Sequence, residues 1–119
     1  MQRCRPYQLS QRFGVDALRF FLLRTFPFGS DGNFTNELLM GTINTDLANT
    51  LGNLVSRTVA MNQKYFNGNL TEGGEAAPLD EELKALAADV FANYEKQMDK
   101  FQFSAGFNEV FRLLDRANK

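Results

Sequence analysis

Thr35-Asn-Glu-Leu-Leu-Met-Gly-Thr-Ile-Asn-Thr-Asp-Leu-Ala-Asn-Thr-Leu-Gly-Asn-Leu-Val-Ser-Arg-Thr-Val-Ala-Met-Asn-Gln-Lys-Tyr-Phe66 carries a helical pattern through 32 residues without a proline. Thr35 is placed to cap its start, with Glu37 in the first turn near the positive end of the helix dipole. Breaks are expected near Asn44-Thr45 or at Gly52. At 3.6 residues per turn Leu47, Leu51, Leu54, Thr58, Met61 and Tyr65 share one side, with Val55 at its edge, and are expected to be core. Asn49, Asn53, Arg57 and Lys64 fall on the other side. Asn53 and Arg57 are four apart and therefore adjacent on one strip. An amide beside a guanidinium offers several donors and one acceptor on a rigid rod, which suits reading base edges in a single-stranded loop. The same strip also fits a solvated face, or a face bonded to a neighbouring helix.

Outward from this stretch the rest is helical too. Pro6 opens a turn that ends at Gly14. Asp16 is the expected cap of a short apolar helix, Ala17–Arg24, and residues 27–34 read as an ordered loop rich in turn formers. Residues 67–78 have no periodicity and read as a surface linker. Asp80-Glu81-Glu82 opens a third segment whose Leu83, Leu86, Ala87, Val90, Phe91, Tyr94, Met98 and Phe101 lie on one face. Ser104 is the expected cap of a last helix whose Phe107, Val110, Phe111, Leu114 and Ala117 repeat the same one-face spacing. No stretch alternates as a strand does. The fold class is all-α, a helical bundle with a helical lead-in.

Composition narrows the function. The chain has 119 residues, 44% hydrophobic and 23% charged, with 12 Phe, no Trp, no His and one cysteine, Cys4. Without histidine there is no Ser-His or Cys-His nucleophile pair and no histidine metal site. A lone cysteine gives neither a disulfide framework nor a cysteine zinc site. The mean hydropathy is −0.32 and no apolar run nears a membrane span. No catalytic residues and no metal ligands are assigned. Asp31-Gly-Asn33-Phe-Thr35 lacks the glycine and glutamate of a calcium loop. Asn33-Phe-Thr35 and Asn69-Leu-Thr71 match a glycosylation pattern that carries little weight without a secretion signal. Glu72 with Glu75, and Glu81 with Glu82, read as solubilising charge. Charge is uneven: in residues 1–24 five arginines against Asp16 leave +4, and in residues 72–99 eight acids against Lys84 and Lys96 leave −6. A polyanion would meet the lead-in or the middle helix.

Pro6-Tyr-Gln-Leu-Ser-Gln-Arg-Phe-Gly-Val-Asp-Ala-Leu-Arg-Phe-Phe-Leu-Leu-Arg24, Pro27-Phe-Gly-Ser-Asp-Gly-Asn-Phe34, Ile43-Asn-Thr-Asp-Leu-Ala-Asn49, Leu51-Gly-Asn-Leu-Val-Ser-Arg-Thr58, Lys64-Tyr-Phe66 and Arg116-Ala-Asn-Lys119 together resemble methionyl-tRNA synthetase, a class I aminoacyl-tRNA synthetase. The resemblance implies that residues 1–34 are a helical connecting segment following a catalytic domain, and that residues 35–119 are an anticodon-binding helical bundle, C-terminally incomplete. It implies that Asn53 and Arg57 contact the anticodon of methionine tRNA. Lys64, Arg12 and Arg19 are expected, from their charge, to add phosphate contacts. Met1-Gln-Arg-Cys-Arg5 does not match the family's Lys-Met-Ser-Lys-Ser loop, and the family's anticodon-reading tryptophan lies beyond Lys119. ATP and methionine would bind the family's catalytic domain, so no cofactor is expected on these residues, which should be inactive alone. The expected partners are methionine tRNA and that catalytic domain, with no DNA and no membrane, in the cytoplasm. The alternative is a helical protein-interaction module without nucleic-acid binding. Phe20, Phe21, Phe26 and Phe28 are expected to be contact surface left uncovered in this chain.

Overall fold

Pro6 occupies the first position of α1 (Pro6–Phe13), where its missing N–H costs nothing, and Gly14 ends the helix at φ 88°. That left-handed corner favours glycine and turns the chain straight into α2 (Val15–Thr25), whose cap is Gly14 itself, so Asp16 lies inside the first turn instead of capping it. A computed structural model describes residues 5–70 and 73–119. Arg3, Cys4, Thr71 and Glu72 lie outside the described residues. The loop that follows α2 delivers the chain to Thr35, whose hydroxyl accepts from the Leu38 N–H at 3.0 Å and caps α3 (Asn36–Thr42) as the sequence predicts.

The middle stretch stays helical but not uniformly α. Ile43–Gly52 is a π segment that runs directly into α4 (Asn53–Phe66), with helical dihedrals at the junction. The sequence shows why the turn widens here. Asn44, Thr45, Asp46, Asn49 and Thr50 are weak helix formers that compete for backbone groups. The Thr50 hydroxyl donates to the Thr45 carbonyl, five residues back, at 3.1 Å. The Asn53 N–H closes the segment on the Ala48 carbonyl, again five back. α4 stops at Asn67, in the left-handed region at φ 52°, with Gly68 after it at φ 77°.

α5 (Pro78–Asp99) and α6 (Phe103–Ala117) form an antiparallel hairpin. The Ala77 N–H donates to the Asp80 carboxylate at 2.8 Å, so one of the predicted acids satisfies an orphan donor at the start of α5. α6 begins at Phe103 with Gln102 as its cap. Ser104 is therefore no cap. It sits in the first turn and donates to the Arg24 carbonyl at 2.8 Å, tying α6 to the end of α2. Across the hairpin Arg116 bonds Glu82 through Nε at 2.8 Å and Nη2 at 3.1 Å, and Arg112 pairs with Asp89. The Arg116 guanidinium holds the Glu82 carboxyl below its ordinary 4.5, and Glu82 in turn raises Arg116.

The core is small and aromatic. Leu18, Phe21, Leu39, Val90 and Phe111 are buried, and Phe21 and Leu39 have no exposed surface. Phe21 meets Phe26 and Phe34 edge to face at 5.4 and 5.9 Å, and Phe20 fits between Phe107 and Phe111 at 5.3 and 5.8 Å. Of the lead-in phenylalanines expected to be uncovered, only Phe28 is exposed, at 64%; the others are packed by α3, α6 and the 27–34 loop. Phe28 stacks on Phe101 at the α5–α6 turn, at 5.7 Å. On α5 Val90 is buried, whereas Phe91 stays 68% exposed.

The middle helix departs furthest from expectation. No residue of α4 is buried; Leu54 is half-buried, and Val55, Thr58, Met61 and Tyr65 are exposed. Leu47 is half-buried and Leu51 exposed. There are two physical reasons. A stripe drawn at 3.6 residues per turn loses its phase across ten residues of π helix. And among the described residues no other α-helix packs substantially on α4, whose neighbours are the π segment that leads into it and the end of α6.

Candidate nucleic-acid interface

The polar strip of α4 starts with the last donor of the π segment, Asn53, and continues to Arg57 one turn later. Both side chains are exposed, and among the described residues neither makes an ion pair or a side-chain hydrogen bond within the chain. The reading in which the strip is bonded to a neighbouring helix is therefore not what the fold uses. Arg57 borders a cleft of about 60 Å³ between α4 and the C-terminal end of α6. Leu54, Met61 and Ala117 supply apolar walls, and Thr58 and Asn118 supply polar atoms. Such a place suits a flat group whose face wants contact and whose edge wants donors.

Lys64 follows Arg57 along α4, exposed, its ammonium 5.1 Å from the Tyr65 ring centroid. Residues 53–66 contain these two cations and no acid, so the rod is positive along its length. Arg12 and Arg19 are also exposed, but on α1 and α2; Arg12 lies over the Phe13 ring at 5.3 Å. α1 packs on α2, and among the described residues neither packs substantially on α4, so Arg12 and Arg19 are not gathered into one cluster with Arg57 and Lys64. Arg24, counted in the basic lead-in, faces inward instead. Its Nε bonds Asp46 at 2.9 Å, Nη1 bonds Asn108, and the guanidinium covers the Phe111 ring at 4.9 Å.

Asn118 is the neighbour of the strip that sequence reasoning missed. Its place in Arg116-Ala-Asn-Lys119 gave it a resemblance but no role, because its partners are 4 and 68 residues away: the Leu114 carbonyl at 3.0 Å and the Thr50 carbonyl at 3.2 Å.

Comparison with known proteins places this geometry. The family model for class I tRNA synthetases (M) matches residues 3–59, which include Asn53 and Arg57. A methionine–tRNA ligase of Caldanaerobacter subterraneus is 51% identical over 114 residues, 96% of this chain, and one of Clostridium tetani is 50% identical over the same share. The free-state crystal structure of Mycobacterium tuberculosis methionyl-tRNA synthetase superposes with a TM-score of 0.92 at 36% identity, over 97% of this chain. The chain belongs to the methionyl-tRNA synthetase family. It spans 18% of the length of those two ligases and 23% of the tuberculosis synthetase chain. A second M. tuberculosis methionyl-tRNA synthetase structure, bound by methionyl-adenylate, gives a TM-score of 0.90 over 95% of this chain. The all-α fold is thus that of one helical part of these synthetases. Among the described residues no helix is long and apolar enough to cross a membrane.

Proposed function

We propose that this chain recognises the anticodon of methionine tRNA, as the anticodon-binding part of a methionyl-tRNA synthetase that joins methionine to its tRNA using ATP. Residues 35–119 form the recognition bundle and residues 1–34 connect it to the catalytic domain, where ATP and methionine bind; the enzyme works in the cytoplasm. One observation carries the reading: Asn53 and Arg57 stand exposed one turn apart, unpaired among the described residues, and Arg57 borders a cleft with apolar walls. An unstacked base laid against the strip has its edge bonded by the amide and the guanidinium. Lys64 attracts the backbone without reading sequence.

The test is a titration of the protein with methionine tRNA and with the same tRNA carrying a changed anticodon, at low salt. Arg57→Ala is expected to weaken binding of the native tRNA about tenfold, within the roughly 1–3 kcal/mol of a good base contact, and to remove the preference. Lys64→Ala should weaken both tRNAs alike and flatten the salt dependence. Wild-type protein and Arg57→Ala that bind both tRNAs equally would refute the recognition role. The second reading, a protein-interaction module, has its own support in the exposed Val55, Val59 and Phe66 of α4. That reading predicts no tRNA binding at all.

A further inference from the structure

The π segment ends where the recognition strip begins, and a single side chain from the far end of the fold holds that junction. The Thr50 carbonyl lies three residues before Asn53 and accepts from Asn118 Nδ2 at 3.2 Å. The same nitrogen donates to the Leu114 carbonyl at 3.0 Å, which also receives the Asn118 backbone N–H at 3.0 Å. Asn118 is therefore anchored to the last turn of α6 before it reaches across. α6 is itself fixed to α5 by the Arg116–Glu82 and Arg112–Asp89 pairs, and to α2 by Ser104. The bond to Thr50 connects this braced hairpin to the π segment, whose hydrogen bonding is not the ordinary helical kind.

The bearing of α4 depends on that segment. A π segment that returns to four-residue bonding rotates everything after it about the helix axis, so Asn53 and Arg57 would point elsewhere. Gly52 permits the wide turn without enforcing it: a Cβ there would stand 3.0 Å from the Leu47 carbonyl, the oxygen five residues back. The Thr50 carbonyl also receives the Asn53 N–H, so the Asn118 donor on its second lone pair favours the arrangement in which both reach this oxygen. Asn118 also shares the cleft with Arg57, so the same side chain sets both the phase of the rod and one wall beside the guanidinium.

We propose that Asn118 is a positioning residue for anticodon recognition: through the Thr50 carbonyl it locks the π segment and fixes the direction in which α4 presents Asn53 and Arg57. The proposal rests on the anticodon reading above, and adds to it a residue that touches neither member of the pair by hydrogen bond.

Two measurements on the 119-residue chain test it, with Asn118→Ala and the near-isosteric Asn118→Asp, which keeps the size and loses the donor. The first is amide hydrogen exchange in the free protein. Exchange at Asn53 and Leu54 is expected to rise about fivefold in both variants, the effect of one hydrogen bond of ordinary strength. The second is the ratio of affinities for methionine tRNA with its native and with a changed anticodon. That ratio should fall several-fold in Asn118→Ala, while affinity for the changed tRNA and the salt slope stay as in the wild type. A merely structural role at the end of α6 would raise exchange at residues 114–119 alone and leave the ratio untouched; that result overturns the proposal. So does a wild-type protein that discriminates and an Asn118→Ala variant that discriminates equally well. A wild-type protein indifferent to the anticodon instead refutes the reading of Asn53 and Arg57, and the positioning role falls with it.

Discussion

Arg24 joins three elements with one side chain. Its guanidinium spans Asp46 on the π segment and Asn108 on α6 while lying against the Phe111 ring, and its carbonyl takes the Ser104 hydroxyl. The Arg24 and Asp46 side chains are only 20% and 18% exposed, so the pair is less screened than one in open water. A lysine offers one compact ammonium and cannot serve Asp46, Asn108 and the ring face together. Arg24→Ala is expected to destabilise the fold by about 2 kcal/mol, the range of hydrogen bonds to a charged group, and Arg24→Lys should recover less than half of that. Urea unfolding with an unchanged slope is the measurement; full recovery by lysine would show that charge alone matters here. In the sequence Arg24 is one of five lead-in arginines, and nothing local separates it from Arg19, which is exposed on the same helix. The difference lies in residues 22 and 84 positions away, which no window along the chain contains.

The helices themselves are set locally. Pro6, Gly14, Thr35 and Asp80 mark ends that elementary capping chemistry predicts, and the structure has them there, with Gly14 rather than Asp16 preceding α2. The α5–α6 turn is less obvious. Phe101 adopts φ 57°, the left-handed region that glycine normally fills at a helix end. Its N–H bonds the Met98 carbonyl and the next N–H bonds the Gln97 carbonyl, both at 2.9 Å. The ring is held by Phe28 and by Phe103, 6.1 Å away. Removing the ring and removing the backbone cost are separable. Phe101→Gly should be more stable than Phe101→Ala by about 1 kcal/mol in chemical denaturation, because alanine keeps the unfavourable dihedral and loses the stacking. Equal stabilities would mean that the turn relaxes when the ring is gone. The π segment was half visible in the same way. Its weak helix formers marked a break, but the five-residue spacing depends on Thr50, Gly52 and a donor from Asn118.

The molecule as a whole is extended. Its radius of gyration is 17.5 Å, against roughly 13–14 Å for a compact chain of this length. Its accessible surface is 9,045 Å², against about 6,500 Å² for a folded monomer of this mass. α4 contributes to the excess: Val55, Val59, Met61, Tyr65 and Phe66 are all more than half exposed. A side chain that touches nothing contributes little to folding. Val59→Lys is therefore expected to leave the unfolding free energy within about 0.5 kcal/mol of the wild type, whereas Phe21→Ala, at the fully buried centre, should cost about 3–5 kcal/mol. A large loss from Val59→Lys would place that residue in a core that the structure does not contain. Helical periodicity, caps and the Asn53–Arg57 strip could be read from the chain because each depends on residues within one or two turns of each other. Which apolar faces are covered, which arginine turns inward and how α4 is aimed depend on contacts between residues far apart in sequence, and the three-dimensional arrangement alone supplies them.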